Sequence, residues 1–247
     1  MDSLYSLPNE YEELRQSVRA LAQKEIAPHA KAVDEDHRYP IEAGQALAKA
    51  GLSAAHVPTE FGGDGADALA VVLIIEEVAR VCGSSSLIPA VNKLGSMPLI
   101  LGGTAEQKKR WLTPLAQGKK DGELYLGAFL LSEPEAGSDA TSQRTTAVDM
   151  GDHYLLNGTK NWITNGSTAS VYLVMAQTDA SKGSRGINAF IVEKNTPGVT
   201  VGAKENKMGI RGSDTHAISF TDVKVSAANR IGEEGFGFNF AMKTLNG

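Results

Sequence analysis

The sequence predicts an α+β protein with a helical first half and a β-rich second half. Apolar residues recur at helical spacing up to about residue 122, and beyond it they alternate as in strands while turn residues multiply. Residues 232–247, GEEGFGFNFAMKTLNG, then return to a helical pattern. We therefore expect a helical domain over residues 1–122, a β domain over residues 123–230, and in residues 231–247 the start of a second helical domain that is cut short or continues beyond residue 247.

The first region carries several helix signals. The segment EYEELRQSVRALAQKEI has apolar residues at helical spacing, and Pro28 is expected to stop that helix. A second helix is predicted between Pro40 and Gly51. The segment DALAVVLIIEEVARVCG is apolar nearly all the way round, which is typical of a helix buried among other helices. Thr104 followed by Gln107 is the pattern of a capping box at a helix start.

The second region is predicted to contain many short strands. Alternating segments are separated by Gly, Asn or Asp: LYLGAFLLS, DHYLLNG, SVYLVMAQT, INAFIVE, GVTVGAK and HAISFTDVKV. Short strands with regular turns predict a small barrel or a sandwich.

Composition excludes several classes of protein. The formal net charge of -5 and the lack of a basic run argue against a nucleic-acid partner. Cys82 is the single cysteine, so an intrachain disulfide is impossible and a reducing compartment is favoured. The first residues lack the pattern of a secretory signal. The longest apolar stretch is too short to span a bilayer and contains Glu76 and Glu77. We expect a cytoplasmic protein that does not insert into membranes.

Common catalytic and nucleotide motifs are missing from the sequence. It has no G-x-G-x-x-G between a strand and a helix, no phosphate-binding P-loop and no G-x-S-x-G. The five histidines are far apart and none has metal-ligand spacing, so we predict no metal site.

The segment NGTKNWITNG, residues 157–166, has an Asn-Gly pair at each end. Because Asn-Gly favours tight turns, it predicts one short strand between two turns. Alternation along that strand would place Lys160, Trp162 and Thr164 on one face, with Asn161 and Ile163 on the other. A tryptophan on such a strand is otherwise typical of a core position.

The segment FLLSEPEAGSDATSQRTT, residues 129–146, is the second candidate. An apolar strand ends at Ser132 and enters a loop rich in hydroxyls, glycine and carboxylates, a usual location for binding groups. Ser138 follows Gly137, where backbone amides can approach a phosphate or a carbonyl closely. The alternative is an ordinary polar turn.

Together these segments resemble the acyl-CoA dehydrogenase family of flavoenzymes. The similarity extends over LSEPEAGSDATSQRTT, LNGTKNWITNG, GINAFIVEKNTPG and KMGIRGSDTHAISFTDVKV, and over LAQKEIAPHA and VPTEFGG in the helical half. The resemblance implies an N-terminal α-helical domain, a middle β-barrel domain and a C-terminal helical bundle. It also implies FAD between barrel and bundle, with an acyl-CoA thioester beside the flavin.

The resemblance assigns roles to residues. Trp162 would pack against the isoalloxazine, and Thr164 would hydrogen-bond near its reactive nitrogen. The implied cofactor-binding residues are Phe129, Leu130, Leu131, Ser132, Gly137, Ser138, Trp162, Ile163 and Thr164. Ser138 would also contact the substrate. Ser184 and Arg185 resemble a substrate-contacting pair of branched-chain members, although a solvated turn is an equal alternative.

The resemblance implies α,β-dehydrogenation of a short or branched acyl-CoA, with electrons passed to an electron-transfer flavoprotein and a homotetrameric assembly. Relatives carry the catalytic base in the C-terminal domain, so none is nominated here. Glu133 and Asp139 are expected to shape their loop, and Glu135 is expected to face solvent. Alternatives are a non-catalytic flavin- or CoA-binding subunit and a flavin oxidase or monooxygenase of the same fold.

Overall fold

The computed structural model describes residues 6–246, and its first part is helical. Seven helices precede the strands: α1 (Asn9–Leu21), α2 (Ala27–Glu35), α3 (Ile41–Lys49), α4 (Ala68–Ala79), α5 (Gly83–Leu94), α6 (Met97–Gly102) and α7 (Ala105–Gln117). The apolar faces of α1 to α5 meet around Val18, Leu47, Ile74 and Ile88 in one buried cluster, whereas α6 and α7 contribute to a second cluster that includes Trp111. The predicted helical domain is confirmed.

The expectation that Pro28 ends the first helix is wrong. A π-helical turn, Ala22–Ile26, joins α1 directly to α2, and Pro28 lies in the first turn of α2. Proline lacks an N–H and its ring clashes with the carbonyl four residues earlier. The wider π turn, closed by the bond from the Ala27 N–H to the Ala22 carbonyl, accommodates it.

Other helix signals agree with the structure. α3 starts after Pro40, and Gly51 has the left-handed φ of 74° that follows many helix ends. The capping box of Thr104 and Gln107 is present at the start of α7. α4 is less enclosed than predicted, since Val72 is 57% exposed.

The second part is a β domain, as predicted. Its strands are β1 (Lys119–Lys120), β2 (Glu123–Leu124), β3 (Gly127–Leu130), β4 (Thr146–Asp149), β5 (His153–Thr164), β6 (Val171–Gln177), β7 (Ile187–Glu193), β8 (Val199–Lys204), β9 (Thr215–Ser226) and β10 (Arg230–Ile231). β1 and β2 form a separate hairpin. The others follow the order β10-β7-β6-β4-β5-β9-β8, with β3 parallel to β6.

Two apolar clusters lie on opposite faces of this sheet. Side chains of β3 to β7 and β9 enclose one, around Tyr172, Phe190 and Ile218. The other joins the outer face of β6 and β7 to the helical part and to α8 (Gly237–Asn246), through Trp111 and Phe240. The helical pattern predicted for residues 232–247 is therefore confirmed in α8, which packs on the β domain. Among residues 6–246, no helix combines the length and the apolar character needed to cross a membrane.

Candidate active site

The first Asn-Gly pair of residues 157–166 does not form a turn. β5 continues through it, and the pairing of β5 with β9 shifts between Leu156 and Gly158. Gly158 has a φ of 145°, and a Cβ there would lie 2.7 Å from the Cα of Thr145. The extra residue at this shift is in β9, where Thr221 and Asp222 face Asn157 alone. Gly158 is nevertheless a position that only glycine fits, because the backbone leading into β4 passes beside it. The second pair, Asn165-Gly166, forms the predicted turn.

A second bulge breaks the alternation at Asn161 and Trp162. Lys160 is opposite Ile218 and Ile163 is opposite His216, so two residues of β5 face one of β9. The predicted common face of Lys160, Trp162 and Thr164 is therefore wrong. Lys160 is fully buried, whereas Trp162 is 57% exposed at a φ of 57° and Thr164 is half-buried. The alternative of a core tryptophan is wrong as well.

The buried ammonium of Lys160 lies beneath the loop that follows β3. Its Nζ donates to the Leu131 carbonyl at 3.1 Å, to Glu133 Oε1 at 2.7 Å and to Gln143 Oε1 at 3.1 Å. All three N–H bonds of the ammonium are thus used. Burial lowers the pKa of Lys160 to about 8, and the charge of Glu133 opposes that shift.

Glu133 closes the loop from the other side. Its carboxylate accepts from the Arg144 N–H at 2.5 Å and from the Thr145 N–H at 3.0 Å. Burial acts to raise the pKa of Glu133, but the Lys160 charge and these hydrogen bonds outweigh it and hold the pKa below its ordinary value. A bond of 2.9 Å from the Asn161 N–H to the Ser132 carbonyl joins the loop to the second bulge.

Asp139 and Glu135 occupy the exposed middle of the same loop. Asp139 accepts from the hydroxyls of Thr141 and Ser142 and so shapes its turn, as expected. Glu135 forms an exposed ion pair with Arg144.

The turn after Thr164 is held by a group that the sequence analysis missed. Asp214 accepts hydrogen bonds from the backbone and hydroxyl groups of Ser167 and Thr168, at 2.8–2.9 Å, and contacts His216 Nε2 at 2.5 Å. Burial acts to raise the pKa of Asp214, but these bonds outweigh it and hold the pKa below its ordinary value. A buried carboxylate therefore holds this turn, as Glu133 holds the loop.

The predicted cofactor-binding residues divide into three sets. Leu130 and Ile163 point into the β-domain core, so only their main chains are available to a ligand. Phe129 and Leu131 pack towards the helical side. The remaining residues are half-buried or exposed: Ser132, Gly137, Ser138, Trp162 and Thr164.

Ser184 and Arg185 line a separate cavity of about 900 Å³ with the start of α8. Its apolar wall comes from Phe236, Phe238 and Met242, which sequence analysis did not nominate although their spacing in GFGFNFAMK indicated an amphipathic helix. Lys182 closes the rim, 3.4 Å from Asp179 and 3.4 Å from Glu234. The turn Ala180–Gly186, which contributes Ser184 and Arg185 to this cavity, lies beside the turn Ala140–Ser142 of the Ser138 loop. Within the described part of the chain, His, Cys, Asp and Glu form no cluster arranged to hold a metal ion.

Two family models match this architecture. The model described as "Acyl-CoA dehydrogenase, N-terminal domain" matches residues 8–119, and the model described as "Acyl-CoA dehydrogenase, middle domain" matches residues 128–223. The chain belongs to the acyl-CoA dehydrogenase family.

Individual family members are similar over nearly the whole chain. A probable acyl-CoA dehydrogenase of Mycobacterium tuberculosis, FadE25, is 52% identical over 98% of this chain and 61% of its own length. Butyryl-CoA dehydrogenase from Megasphaera elsdenii has 40% identity and a TM-score of 0.90, covering 100% of this chain and 64% of that one. An acyl-CoA dehydrogenase of Bacillus anthracis, solved in complex with FAD, has 35% identity and a TM-score of 0.87, covering 99% and 41%. The chain thus spans about three fifths of the length of the curated relative.

Proposed function

We propose that this chain forms the FAD- and acyl-CoA-binding part of an acyl-CoA dehydrogenase that introduces a trans double bond between C2 and C3 of a short or branched acyl-CoA. The observation that carries the proposal is the bulge of β5 at Asn161 and Trp162. The bulge turns the Trp162 indole out of the core, two residues before the half-buried Thr164. The Asn161 N–H in the same bulge donates to the Ser132 carbonyl.

The donor set of this face fits a flavin. A flavin is a flat ring system with hydrogen-bonding atoms on its edge, and the bulge offers an exposed aromatic face with hydroxyls from Ser132 and Thr164 nearby. The exposed Gly137 leaves room for a close approach of its backbone, since no atom lies within 4 Å of where its Cβ would be. When bound, FAD supplies the hydride acceptor for the reaction.

The chain's own residues would orient the two ligands. The Trp162 indole would pack against the plane of the flavin ring, and Ser132 and Thr164 would donate hydrogen bonds to the edge of that ring. Leu130 and Ile163 would contribute main-chain groups, with Phe129 and Leu131 packed behind them. Gly137 and Ser138 would contact the boundary between cofactor and thioester.

The substrate would lie in the cavity between the turn Ala180–Gly186 and α8. Ser184 and Arg185 offer a hydroxyl and a guanidinium at its rim, while Phe236, Phe238 and Met242 offer apolar surface. A guanidinium suits the phosphates of coenzyme A. The similarity to a butyryl-CoA dehydrogenase favours a short acyl chain.

We nominate no catalytic base among the described residues. Glu133 is buried and paired with Lys160, and Asp139 is bonded to the hydroxyls of its own turn. A base must come within hydrogen-bond reach of the α-proton of the thioester. We propose that the base is in the part of the family fold that the relatives have beyond the matched region.

The remaining features of the proposal follow the family resemblance. They are an electron-transfer flavoprotein as electron acceptor, a homotetramer, a cytoplasmic location, and domain boundaries near residues 122 and 230. The single cysteine, Cys82, is buried and consistent with a reducing compartment.

An anaerobic titration of the complete gene product with butyryl-CoA tests the proposal through the yellow flavin band. Bleaching is the expected result, and pivaloyl-CoA, which has no α-hydrogen, is the matched control that should leave the band unbleached. A band that no acyl-CoA bleaches would contradict the dehydrogenase assignment and favour a binding subunit. Fast reoxidation by oxygen with peroxide release would instead favour an oxidase.

A further inference from the structure

A lysine ammonium with no solvent exposure lies directly beneath the proposed flavin face. Its three acceptors come from both ends of one segment, because Leu131 and Glu133 begin the loop and Gln143 ends it. A single cation in β5 therefore joins the start and the end of the loop. Lys160 is also next to Asn161, whose N–H holds the Ser132 carbonyl.

Glu133 makes the matching connection within the loop. It accepts from two consecutive backbone N–H groups, those of Arg144 and Thr145, while pairing with Lys160. Between these anchors Gly137 and Ser138 stay exposed. The buried pair thus fixes the ends of a loop whose middle is open to a ligand.

We propose that Lys160 and Glu133 are a positioning pair that holds residues 131–145 and the Trp162 bulge in the arrangement that binds FAD. This inference rests on the proposed function. Burying two charges brings little net stability, since an apolar pair of similar volume often stabilises a fold as well. The benefit of the pair lies in the position of the groups bonded to it.

The test compares three variants of the complete gene product, with FAD titrated into the apoprotein and followed by quenching of flavin fluorescence. Lys160→Met alone leaves Glu133 buried without its cation and is expected to unfold at a lower urea concentration. Lys160→Met combined with Glu133→Gln removes both charges and is expected to recover much of the urea midpoint. Lys31→Met breaks an exposed pair with Glu35 in α2, outside this loop, and is the control.

The double variant is expected to bind FAD about 10- to 100-fold more weakly than wild type, by analogy with the loss of groups that orient a ligand's direct contacts. Lys31→Met is expected to stay within about twofold, as a solvent-exposed ion pair fixes little. Hydrogen exchange should also be faster at the Arg144 and Thr145 amides of the double variant in the absence of FAD.

The pH dependence of FAD binding provides a readout that a purely structural pair would not change. Glu133 is the titratable group that faces Lys160 within the described chain, and it is ionised throughout this range. With its pKa at about 8, Lys160 loses a proton between pH 7 and 9, which leaves two N–H donors for three acceptors. The loop is then held less firmly, so FAD affinity should fall. The free energy of unfolding should not fall over the same range. A lysine with a lowered folded-state pKa loses its proton more readily in the folded than in the unfolded chain, so raising the pH favours the folded state. The double variant should show no such fall in affinity.

Two results would overturn the proposal: a double variant that binds FAD as tightly as wild type, or FAD affinity that does not change between pH 7 and 9 in wild type. Wild-type protein that binds no FAD at all would contradict the proposed function, and this inference with it.

Discussion

The two walls of the candidate site are held in different ways. The pinned wall, residues 131–145 and 160–164, is fixed from beneath by the buried pair of Lys160 and Glu133. The open wall, residues 180–186 and 234–242, is closed by ion pairs of Lys182 with Asp179 and Glu234, and all three side chains are substantially exposed to solvent. The walls adjoin at the turns Ala140–Ser142 and Ala180–Gly186.

This difference corresponds to what each wall is proposed to bind. Exposed ion pairs are typically worth about 0–1 kcal/mol each and break easily, whereas removal of one partner of a buried pair costs about 3–5 kcal/mol. A wall fixed by a buried pair suits a cofactor that stays bound. A wall closed by exposed pairs suits a substrate that enters and leaves.

Gly158→Ala should have the largest effect, since the new side chain would press on the backbone of the pinned wall at Thr145. The new Cβ would meet the Cα of Thr145 at 2.7 Å, at a φ that alanine rarely adopts. We expect the free energy of unfolding in urea to fall by roughly 2–5 kcal/mol. Gly183→Ala is the matched change in the open wall, where φ is also positive but no atom lies within 4 Å of the Cβ position. Its cost should be only about 1–2 kcal/mol, and equal losses for the two variants would contradict the comparison.

The second-largest effect is expected from acidification, which should weaken the pinned wall. The pKa of Glu133 is lower in the folded state than its ordinary value of 4.5, because its pairing with Lys160 outweighs burial. A lowered carboxyl pKa contributes stability that is present above about pH 4.5 and is lost as the pH falls through the folded-state value. Urea unfolding between pH 3 and 6 should show this loss, and Glu133→Gln should flatten it.

Asp179, which pairs with Lys182 of the open wall, is the control for acidification. Its pKa is also lowered, chiefly by the Ser181 hydroxyl, but its carboxyl is exposed to solvent. Asp179→Asn should leave the acid dependence nearly unchanged, and a flattening as large as that of Glu133→Gln would contradict the distinction between the walls.

The smallest effect on stability is expected from Arg185→Gln in the open wall. The KM for butyryl-CoA should rise by roughly 3- to 10-fold as an exposed charge–phosphate contact is lost, with kcat and FAD affinity unchanged. The free energy of unfolding should change by less than about 0.5 kcal/mol. Arg110→Gln, which breaks an exposed pair with Glu193 outside the cavity, should leave KM unchanged. An unchanged KM in Arg185→Gln would remove this residue from the substrate site.

Local signals in the sequence predicted the features that depend on neighbouring residues alone. The capping box of Thr104 and Gln107 needs only one helix turn, and the turn at Asn165 needs only its own backbone preference. The strands from β5 to β9 follow from alternation and turn residues. The motifs that resembled a family also indicated the correct fold.

The bulges and the buried pair depend on distant parts of the chain. Gly158 has no room for a side chain because Thr145 passes beside it, and Trp162 leaves the core because β9 supplies one residue opposite two. Glu133 and Lys160 are 27 residues apart and meet only when the loop folds onto β5. Strict alternation therefore placed Lys160 on the face of Trp162, and periodicity alone offered no signal to correct it.

The most direct test of the account is whether the Trp162 indole contacts FAD. Trp111 and Trp162 are the two tryptophans of residues 1–247, and Trp111 is buried in the cluster behind β6 and β7. A Trp111→Phe variant of the complete gene product should therefore lose a large part of its indole fluorescence as FAD is added, with saturation at one FAD per chain. The Trp162→Phe variant should lose much less. Equal quenching in the two variants, or none in Trp111→Phe, would contradict the assignment of the bulge as the flavin face.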